Sequence, residues 1–230
     1  MNTIGLIGGT SYHSTLDYYR LINEKINKKL GAKNSASIIL VSLNFEEVYN
    51  MVEERGWHVF LDQAEYHARQ LQSAGADCVM LCANTLHMIA GSLEKRIDLP
   101  LVNIVEETAR SIQSLGLKSV GLLGTGFTME ASFYPEVLEK KGISCLAPPK
   151  KEIDSLHEII FRELTKGIVS KASKNEIIKI IEGLENRGAE GIILGCTELP
   201  MIIEEDDSVL KLFNTLEIHT DAAVHFALKN

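Results

Sequence analysis

The chain has 230 residues, is 45% hydrophobic and carries a formal net charge of −8 at pH 7. The apolar content is enough for a packed core, which excludes a disordered protein. Proteins that bind a phosphate backbone are normally basic, so the acidic balance argues against nucleic acid as a partner.

Short apolar runs alternate with helical patterns along the chain. The predicted strands are Ile4–Ile7, Ser37–Leu43, Cys78–Cys82, Leu101–Ile104, Val120–Leu123, Ile143–Leu146 and Gly191–Leu194. The predicted helices are Asp17–Leu30, Val59–Ala74, His87–Ile97, Val105–Leu115, Met129–Lys141, Leu156–Val169, Lys174–Asn186 and a final helix near His219–Leu228. This alternation predicts an α/β fold with mostly parallel sheets and helices on both faces.

An internal repeat indicates that the chain consists of two similar halves. Leu71–Met88 matches Leu184–Met201 through an apolar strand and into the polar loop beyond it, and Ile4–Gly8 matches Val120–Gly124. The alternative is that any two βαβ units share a Gly-Ala turn before an apolar strand. We favour two pseudosymmetric, flavodoxin-like lobes, with residues 1–100 and 215–230 in the N-terminal lobe and 101–214 in the C-terminal lobe. Their strand ends are expected to face a shared cleft that holds the active site.

Cys196 is the candidate catalytic residue of the second half. It follows the apolar strand Gly191–Leu194 at a strand-to-helix turn, where backbone N–H groups and a helix N-terminus lower the pKa of a thiol. A thiolate at this turn can act as a base or a nucleophile. The alternative is a small buried hydrophobic residue.

The matching loop of the first half follows Cys78–Cys82. The repeat pairs Cys196 with Ala83 rather than Cys82, and strand alternation places Cys82 on the same face as Cys78, so Cys82 is a weak catalytic candidate. Asn84 and Thr85 are candidates for binding a carboxylate, although turn and N-cap roles would also explain them.

The remaining candidates are weaker. Gly8-Gly9-Thr10-Ser11 allows close approach of a ligand but lacks the spacing of a dinucleotide or P-loop site. His87 either orients a group in the cleft or caps a helix, and Lys166 either binds an acidic ligand or lies on a solvated helix face. The seven histidines show no metal-binding spacing, so no metal is expected.

Several features favour a cytoplasmic protein. The N-terminus lacks the basic start of a signal peptide, and no apolar run approaches the roughly 20 residues of a membrane span. Four cysteines are too few for a disulfide framework in a chain of this length.

Taken together, the motifs resemble the aspartate/glutamate racemase family, and in particular its bacterial broad-specificity amino-acid racemase branch. The resemblance covers nearly the whole chain. It is carried by Gly5-Leu-Ile-Gly8-Gly9, Ser14-Thr15 with Tyr18-Tyr19, Asn84-Thr85-x-His87 and Gly195-Cys196-Thr197-Glu198.

The resemblance implies racemisation of an amino acid without pyridoxal phosphate or another cofactor, in a protein that is commonly a homodimer. The family uses two cysteines on opposite faces of the α-carbon; here the second is Cys196 and the first is replaced by Ala83, which is inert. Three activities therefore stay open: a racemase in which water, Cys82 or another group replaces the missing acid, a one-cysteine relative that decarboxylates or protonates one face, and an amino-acid-binding protein with impaired catalysis.

The resemblance also suggests which residues bind the substrate. Asn84, Thr85 and Thr197 are expected to bind the α-carboxylate, and Thr10 and Ser11 to line the opposite loop. Relatives specific for acidic amino acids have a basic residue after the second strand, where this chain has Glu46-Glu47. A neutral or polar amino acid is therefore the expected substrate.

Overall fold

A computed structural model describes residues 1–229, which form two compact units. One unit comprises Met1–Ile104 with the segment from His219 onward, and the other comprises Val105–Ile218. The two divisions lie four residues beyond the expected ones, which were at 100/101 and 214/215.

The first unit is built on a three-stranded parallel sheet. Its strands are β1 (Ile4–Gly8), β2 (Ile38–Ser42) and β3 (Cys78–Leu81), in the order β2-β1-β3. Its helices are α1 (Tyr12–Leu30), α2 (Phe45–Arg55), α3 (Trp57–Ser73) and the short α4 (Ala90–Leu93), which follows a 3-10 turn over Thr85–Ile89. One buried cluster packs Phe60, Leu71 and Leu81 together with other apolar residues of α3 and β3.

The second unit repeats this plan and extends it by one strand. The strands are β4 (Ser119–Leu123), β5 (Ser144–Leu146), β6 (Gly191–Leu194) and β7 (Lys211–Asn214), all parallel, in the order β5-β4-β6-β7. The helices are α5 (Ile104–Ser114), α6 (Gly126–Glu130), α7 (Phe133–Lys140), α8 (Lys150–Arg162) and α9 (Lys171–Asn186). The last helix, α10 (Thr215–Leu228), begins in this unit and belongs to the first unit from His219 onward. The order β5-β4-β6 matches β2-β1-β3, as the internal repeat predicts.

Four predicted elements differ from the structure. The helix predicted over Leu156–Val169 runs instead over Lys150–Arg162. Leu101–Ile104 is not a strand: a single bridge joins Leu101 to Val79, and the next helix already begins at Ile104. The helix predicted over Met129–Lys141 is broken between α6 and α7, because Pro135 inside a continuous helix would clash with the carbonyl of Ala131. The helix predicted over His87–Ile97 is shorter, since it ends at Leu93.

A buried hydrogen-bond network inside the first unit holds the part of α10 that belongs to it. The Tyr18 hydroxyl lies 2.7 Å from Nδ1 of His219, and Nε2 of His219 lies 2.7 Å from the carbonyl oxygen of Val102. The carbonyl can only accept, so Nε2–H donates and Nδ1 accepts from Tyr18. The rings of His219 and His87 meet edge to face at 5.6 Å. Both histidines are therefore neutral parts of the core, and burial lowers the pKa of His219 to about 3 and that of His87 to about 4.

We expect this histidine pair to make the protein acid-labile. Each folded pKa lies below the ordinary value of 6.5, so the unfolded chain binds these protons first and stability falls as the pH drops from 6.5 toward 4. At pH 5 each histidine is expected to lower the free energy of unfolding by about 2 kcal/mol. Urea unfolding at pH 7.5 and pH 5 measures this difference.

Two variants assign the loss to the buried pair. His219→Gln keeps a donor and an acceptor but cannot titrate, so it should show a smaller pH dependence than the wild type. His225→Gln removes an exposed histidine of the same helix and should leave the dependence unchanged. Equal unfolding free energies of the wild type at the two pH values would contradict the prediction.

Candidate active site

The loop after β1 is held in an unusual conformation by Thr15 of α1. The Thr15 hydroxyl accepts a hydrogen bond from Gly9 N–H at 2.8 Å and donates to the Ser11 carbonyl at 3.1 Å. Ser11 has a φ of +87°, which is rare for a residue with a Cβ. Gly9 has a φ of +90°, and a Cβ on it would clash with the backbone of Leu43, so only glycine fits there. The loop geometry is therefore fixed before any ligand binds.

Thr10 lies in this loop with its polar atom buried. Its side chain is 8% exposed, and Oγ1 has no hydrogen-bond partner in the described part of the chain. A buried hydroxyl without a partner costs about 1–3 kcal/mol, so its retention calls for an explanation. A ligand that hydrogen-bonds to Thr10 would supply the missing partner.

The loop after β3 is fastened to the same helix. The Ser14 hydroxyl donates to the Cys82 carbonyl at 3.0 Å, so consecutive residues of α1 hold the ends of β1 and β3. His87 braces the loop from within: Nε2 accepts from Ile104 N–H at 3.2 Å, which leaves Nδ1–H to donate to the Ala83 carbonyl at 3.0 Å. Both ring nitrogens are engaged in the protein, so the structure gives His87 a bracing role and does not support contact with substrate.

Cys82 and Ala83 provide no reactive group at this loop. Cys82 is 1% exposed, and burial raises the pKa of its thiol far above the ordinary range. Ala83 is half-buried and packs against the apolar cluster of the first unit. Asn84 is 4% exposed and makes no capping hydrogen bond to the turn that follows, and Thr85 is half-buried. Asn84 and Thr85 therefore remain the polar candidates of this loop.

In the second unit, Gly195 brings the end of β6 against β4. Its N–H donates to the Leu123 carbonyl at 2.6 Å, and a Cβ on Gly195 would lie 2.8 Å from that oxygen. The chain then turns, and Cys196 is 8% exposed. The thiol donates to Oε2 of Glu198 at 3.0 Å, and the Thr197 hydroxyl donates to the same oxygen at 2.8 Å. A buried thiol and a half-buried hydroxyl thus donate to one oxygen atom of a buried carboxylate.

The prediction that the pKa of Cys196 is lowered is wrong. The expected backbone N–H groups, those of Thr197 and Glu198, do act on the thiol and favour its ionisation. Burial and the negative charge of Glu198 outweigh them, so the pKa of Cys196 lies well above its ordinary value. The turn is followed only by a 3-10 turn over Leu199–Met201, so no long helix dipole offsets these effects.

The geometry also revises the roles of Thr197 and Lys166. The single hydroxyl hydrogen of Thr197 is donated to Glu198, so toward a ligand its side-chain oxygen can only accept, which suits an ammonium group better than a carboxylate. Lys166 is exposed at the end of a 3-10 turn, which agrees with the alternative that it lies on a solvated surface.

The sequence analysis did not single out Glu198 as a site residue, because an acidic residue after Gly-Cys-Thr resembles any polar turn.

Other kinds of site find no support in residues 1–229. No group of three or more His, Cys, Asp or Glu side chains in this range is arranged to hold a metal ion. None of the helices described combines the length and apolar character that a membrane span requires.

Comparison with known proteins finds racemases among the relatives of this chain. The sequence model of the Asp/Glu/Hydantoin racemase family matches residues 7–223. The chain is 38% identical to a candidate Asp/Glu racemase from Yersinia pestis, with a TM-score of 0.95 and 100% of both chains covered. It is 25% identical over 168 residues to the glutamate racemase of Actinobacillus pleuropneumoniae serotype 3 (strain JL03), a match that spans 72% of this chain and 62% of that one.

A third relative belongs to the branch expected from the motifs. The broad specificity amino-acid racemase of Bacillus subtilis (strain 168) is 23% identical over 155 residues, which span 64% of this chain and 63% of that one. The chain thus spans less than two thirds of the length of these two curated racemases. The family match covers far more than half of the chain, and the chain therefore belongs to the Asp/Glu/Hydantoin racemase family.

Proposed function

We propose that the protein racemises a free amino acid without a cofactor, by removing and returning the α-proton through Cys196. The observation that carries this proposal is the buried thiol at the end of β6, hydrogen-bonded to Glu198 in the Gly-Cys-Thr-Glu turn. The α-proton of an amino acid is a very weak acid, so it needs a strong and well-positioned base. A thiol with a raised pKa gives a stronger base once its proton has left.

Binding of the substrate is assigned to the two polar loops of the first unit and to Thr197. Asn84 and Thr85 offer amide and hydroxyl donors for the α-carboxylate, and Thr10 offers its unpartnered hydroxyl. Ser11 presents the strained backbone beside Thr10. The Thr197 oxygen accepts from the α-ammonium group. Hydrogen bonds to the carboxylate stabilise the charge that moves onto it as the α-proton leaves.

The alanine at position 83 favours an alternative in which a side chain of the protein can donate a proton to only one face of the α-carbon. A methyl group neither accepts nor donates a proton, so inversion requires water or another group as the second acid. Such a protein exchanges the α-hydrogen faster than it inverts the centre. In the limit it is a one-cysteine enzyme that protonates one face after decarboxylation, or an amino-acid-binding protein with little catalysis.

The proposed substrate is a neutral or polar amino acid. Glu46 and Glu47 lie exposed in the first turn of α2, where Asn44 caps the helix through a hydrogen bond from Glu46 N–H at 3.1 Å. These carboxylates repel an acidic side chain rather than attract it. We place the protein in the cytoplasm, where its thiols stay reduced.

Exchange of the α-hydrogen in D₂O tests the proposal. Each of the common amino acids is incubated with the protein, and the α-proton signal is followed by NMR. We expect the signal to disappear for at least one neutral or polar amino acid, and more slowly for aspartate and glutamate. A complete lack of exchange across the panel would refute the racemase assignment.

We also propose that the protein forms a homodimer through α1. Tyr12, Leu16 and Tyr19 are 61%, 60% and 54% exposed and lie on one face of this helix, at spacings of four and three residues. Light scattering after size-exclusion chromatography should give twice the chain mass, and Leu16→Glu should give a monomer. A monomeric wild type would contradict this surface.

A further inference from the structure

We propose that His157 of α8 is a positioning residue for the reaction. Its imidazole fixes residues 124–128, here called the β4 turn, against the turn that carries Cys196. This inference deepens the proposed function and rests on it for the reaction that is positioned. The contacts that carry it all lie inside the second unit.

The β4 turn is anchored by a hydrogen bond to α8. Nδ1 of His157 accepts from Gly126 N–H at 3.1 Å. An N–H group can only donate, so Nδ1 offers its lone pair and the neutral ring carries its hydrogen on Nε2. The anchor therefore depends on an acceptor atom at the Nδ1 position. An aromatic ring of similar shape without that atom would not supply it.

The N–H group of Gly126 needs an acceptor from outside its own helix. It is the first N–H of α6, and the first N–H groups of a helix have no partner within the helix. Thr125 occupies the N-cap position but makes no capping hydrogen bond, and its hydroxyl lies 3.3 Å from that of Thr128. Gly126 is buried, so leaving its N–H unpaired would be unfavourable. His157 thus caps α6 from another helix.

Packing sets the position of the His157 ring. Its centroid lies 6.0 Å from that of Phe127 and 4.6 Å from that of Phe161. A Cβ on Gly126 would lie only 3.3 Å from Nδ1, so the lack of a side chain there lets the backbone approach the ring closely. The acceptor atom is therefore held in place by contacts on several sides.

The β4 turn in turn packs closely against the turn of Cys196. Thr128 is fully buried, and a Cβ on Gly195 would lie 3.3 Å from its Cγ2. A Cβ on Gly124 would lie 3.0 Å from the Gly195 carbonyl oxygen. Such close packing transmits displacements, so a shift of the β4 turn is expected to move Gly195 and with it Cys196.

A small displacement of the thiol is enough to affect the reaction. Removal of the α-proton requires close alignment of the base with the carbon, and a misplacement of about 1 Å can lower a rate about 100-fold. His157 acts through Gly126 and Gly195 in this account and touches no reacting atom. It is therefore a positioning residue and not a catalytic one.

Two substitutions of His157 separate the hydrogen bond from the packing of the ring. His157→Phe keeps an aromatic ring and removes the acceptor, whereas His157→Asn loses the ring and places an amide oxygen where Nδ1 was. We expect His157→Phe to lower kcat for α-hydrogen exchange about 10- to 100-fold with a smaller change in KM, and His157→Asn to stay within about threefold of the wild type. Full kcat in His157→Phe, or an equal loss in His157→Asn, would overturn the proposal.

Ile160→Val is the matched control for stability. Ile160 lies in the same helix and is 1% exposed, so the shorter side chain leaves a small cavity while the hydrogen bond of His157 stays in place. We expect a lower melting temperature and an unchanged kcat. A fall in kcat as large as that of His157→Phe would overturn the proposal, because any loss of stability in α8 would then explain the effect.

Amide signals in proton–nitrogen NMR spectra test the anchor independently of catalysis. In His157→Phe the Gly126 N–H should exchange faster with D₂O, and the signals of Gly195 and Cys196 should shift. In His157→Asn and Ile160→Val the signals of Gly195 and Cys196 should stay close to those of the wild type. Unchanged signals of both residues in His157→Phe would overturn the proposal. If the wild type exchanges no amino acid, the proposed function fails, and these spectra alone decide whether His157 positions the Cys196 turn.

Discussion

Replacing Cys196 by alanine is expected to abolish exchange of the α-hydrogen, with a fall in rate of about 10²–10⁴-fold or more. The methyl side chain of this variant has no group that can take the proton from the α-carbon. Cys196→Ser should fail almost as completely, because a serine hydroxyl is far less acidic than a thiol. Exchange is measured by NMR in D₂O with the most active amino acid of the panel.

Cys82→Ala is the matched control for this variant. It also removes a buried thiol that directly follows a strand, but Cys82 is 1% exposed and its pKa is raised by burial alone. We expect it to retain most of the exchange rate and to lose stability modestly, because a small cavity is left. Full activity of Cys196→Ala, or loss of activity in Cys82→Ala with its fold intact, would contradict the assignment of the base.

Replacing Ala83 by cysteine is expected to increase the rate of inversion by about 10²–10⁴-fold. The variant restores a thiol at the position where the family resemblance places its first cysteine, and under the proposed one-thiol mechanism it supplies the second acid. The rate of exchange should change much less than the rate of inversion, because the removal of the proton by Cys196 is unaffected. Chiral chromatography of the amino acid measures inversion.

Ala83→Ser separates the chemistry from the change in size. Serine has nearly the volume of cysteine and perturbs the half-buried position to a similar extent, but it is a much weaker acid. It should leave inversion close to the wild-type rate. Equal inversion rates in Ala83→Ser and Ala83→Cys, or no gain in either, would show that position 83 does not limit the reaction.

Much of the fold could be predicted from the sequence because the central strands are continuous apolar runs between turn residues. The pattern predicts Gly191–Leu194 with its observed bounds, and the repeated strand order agrees with the repeat in the sequence. Strand β7 is not predicted because Lys211–Asn214 has only two buried apolar residues. It is a strand because it pairs with β6, a contact that the sequence pattern does not show. Helix α2 escapes it because only Val48 among its side chains is buried.

The candidate site was only partly predictable for a different reason. The position of Cys196 follows from a local pattern, a glycine and polar residues after a buried strand. The ionisation of its thiol depends on burial and on the orientation of the Glu198 side chain, and neither can be predicted from the adjacent residues in the sequence. The brace formed by His87 likewise depends on the N–H of Ile104, which is distant in sequence.

The most direct test of the account combines isotope and stereochemistry in one sample. A single enantiomer of the active amino acid is incubated in D₂O with the wild-type protein, and both enantiomers are separated early in the reaction and analysed by mass spectrometry. One working thiol predicts that deuterium enters the starting enantiomer faster than the opposite enantiomer accumulates. A starting enantiomer that remains undeuterated while inversion proceeds would contradict it, because that result requires a second acid on the opposite face.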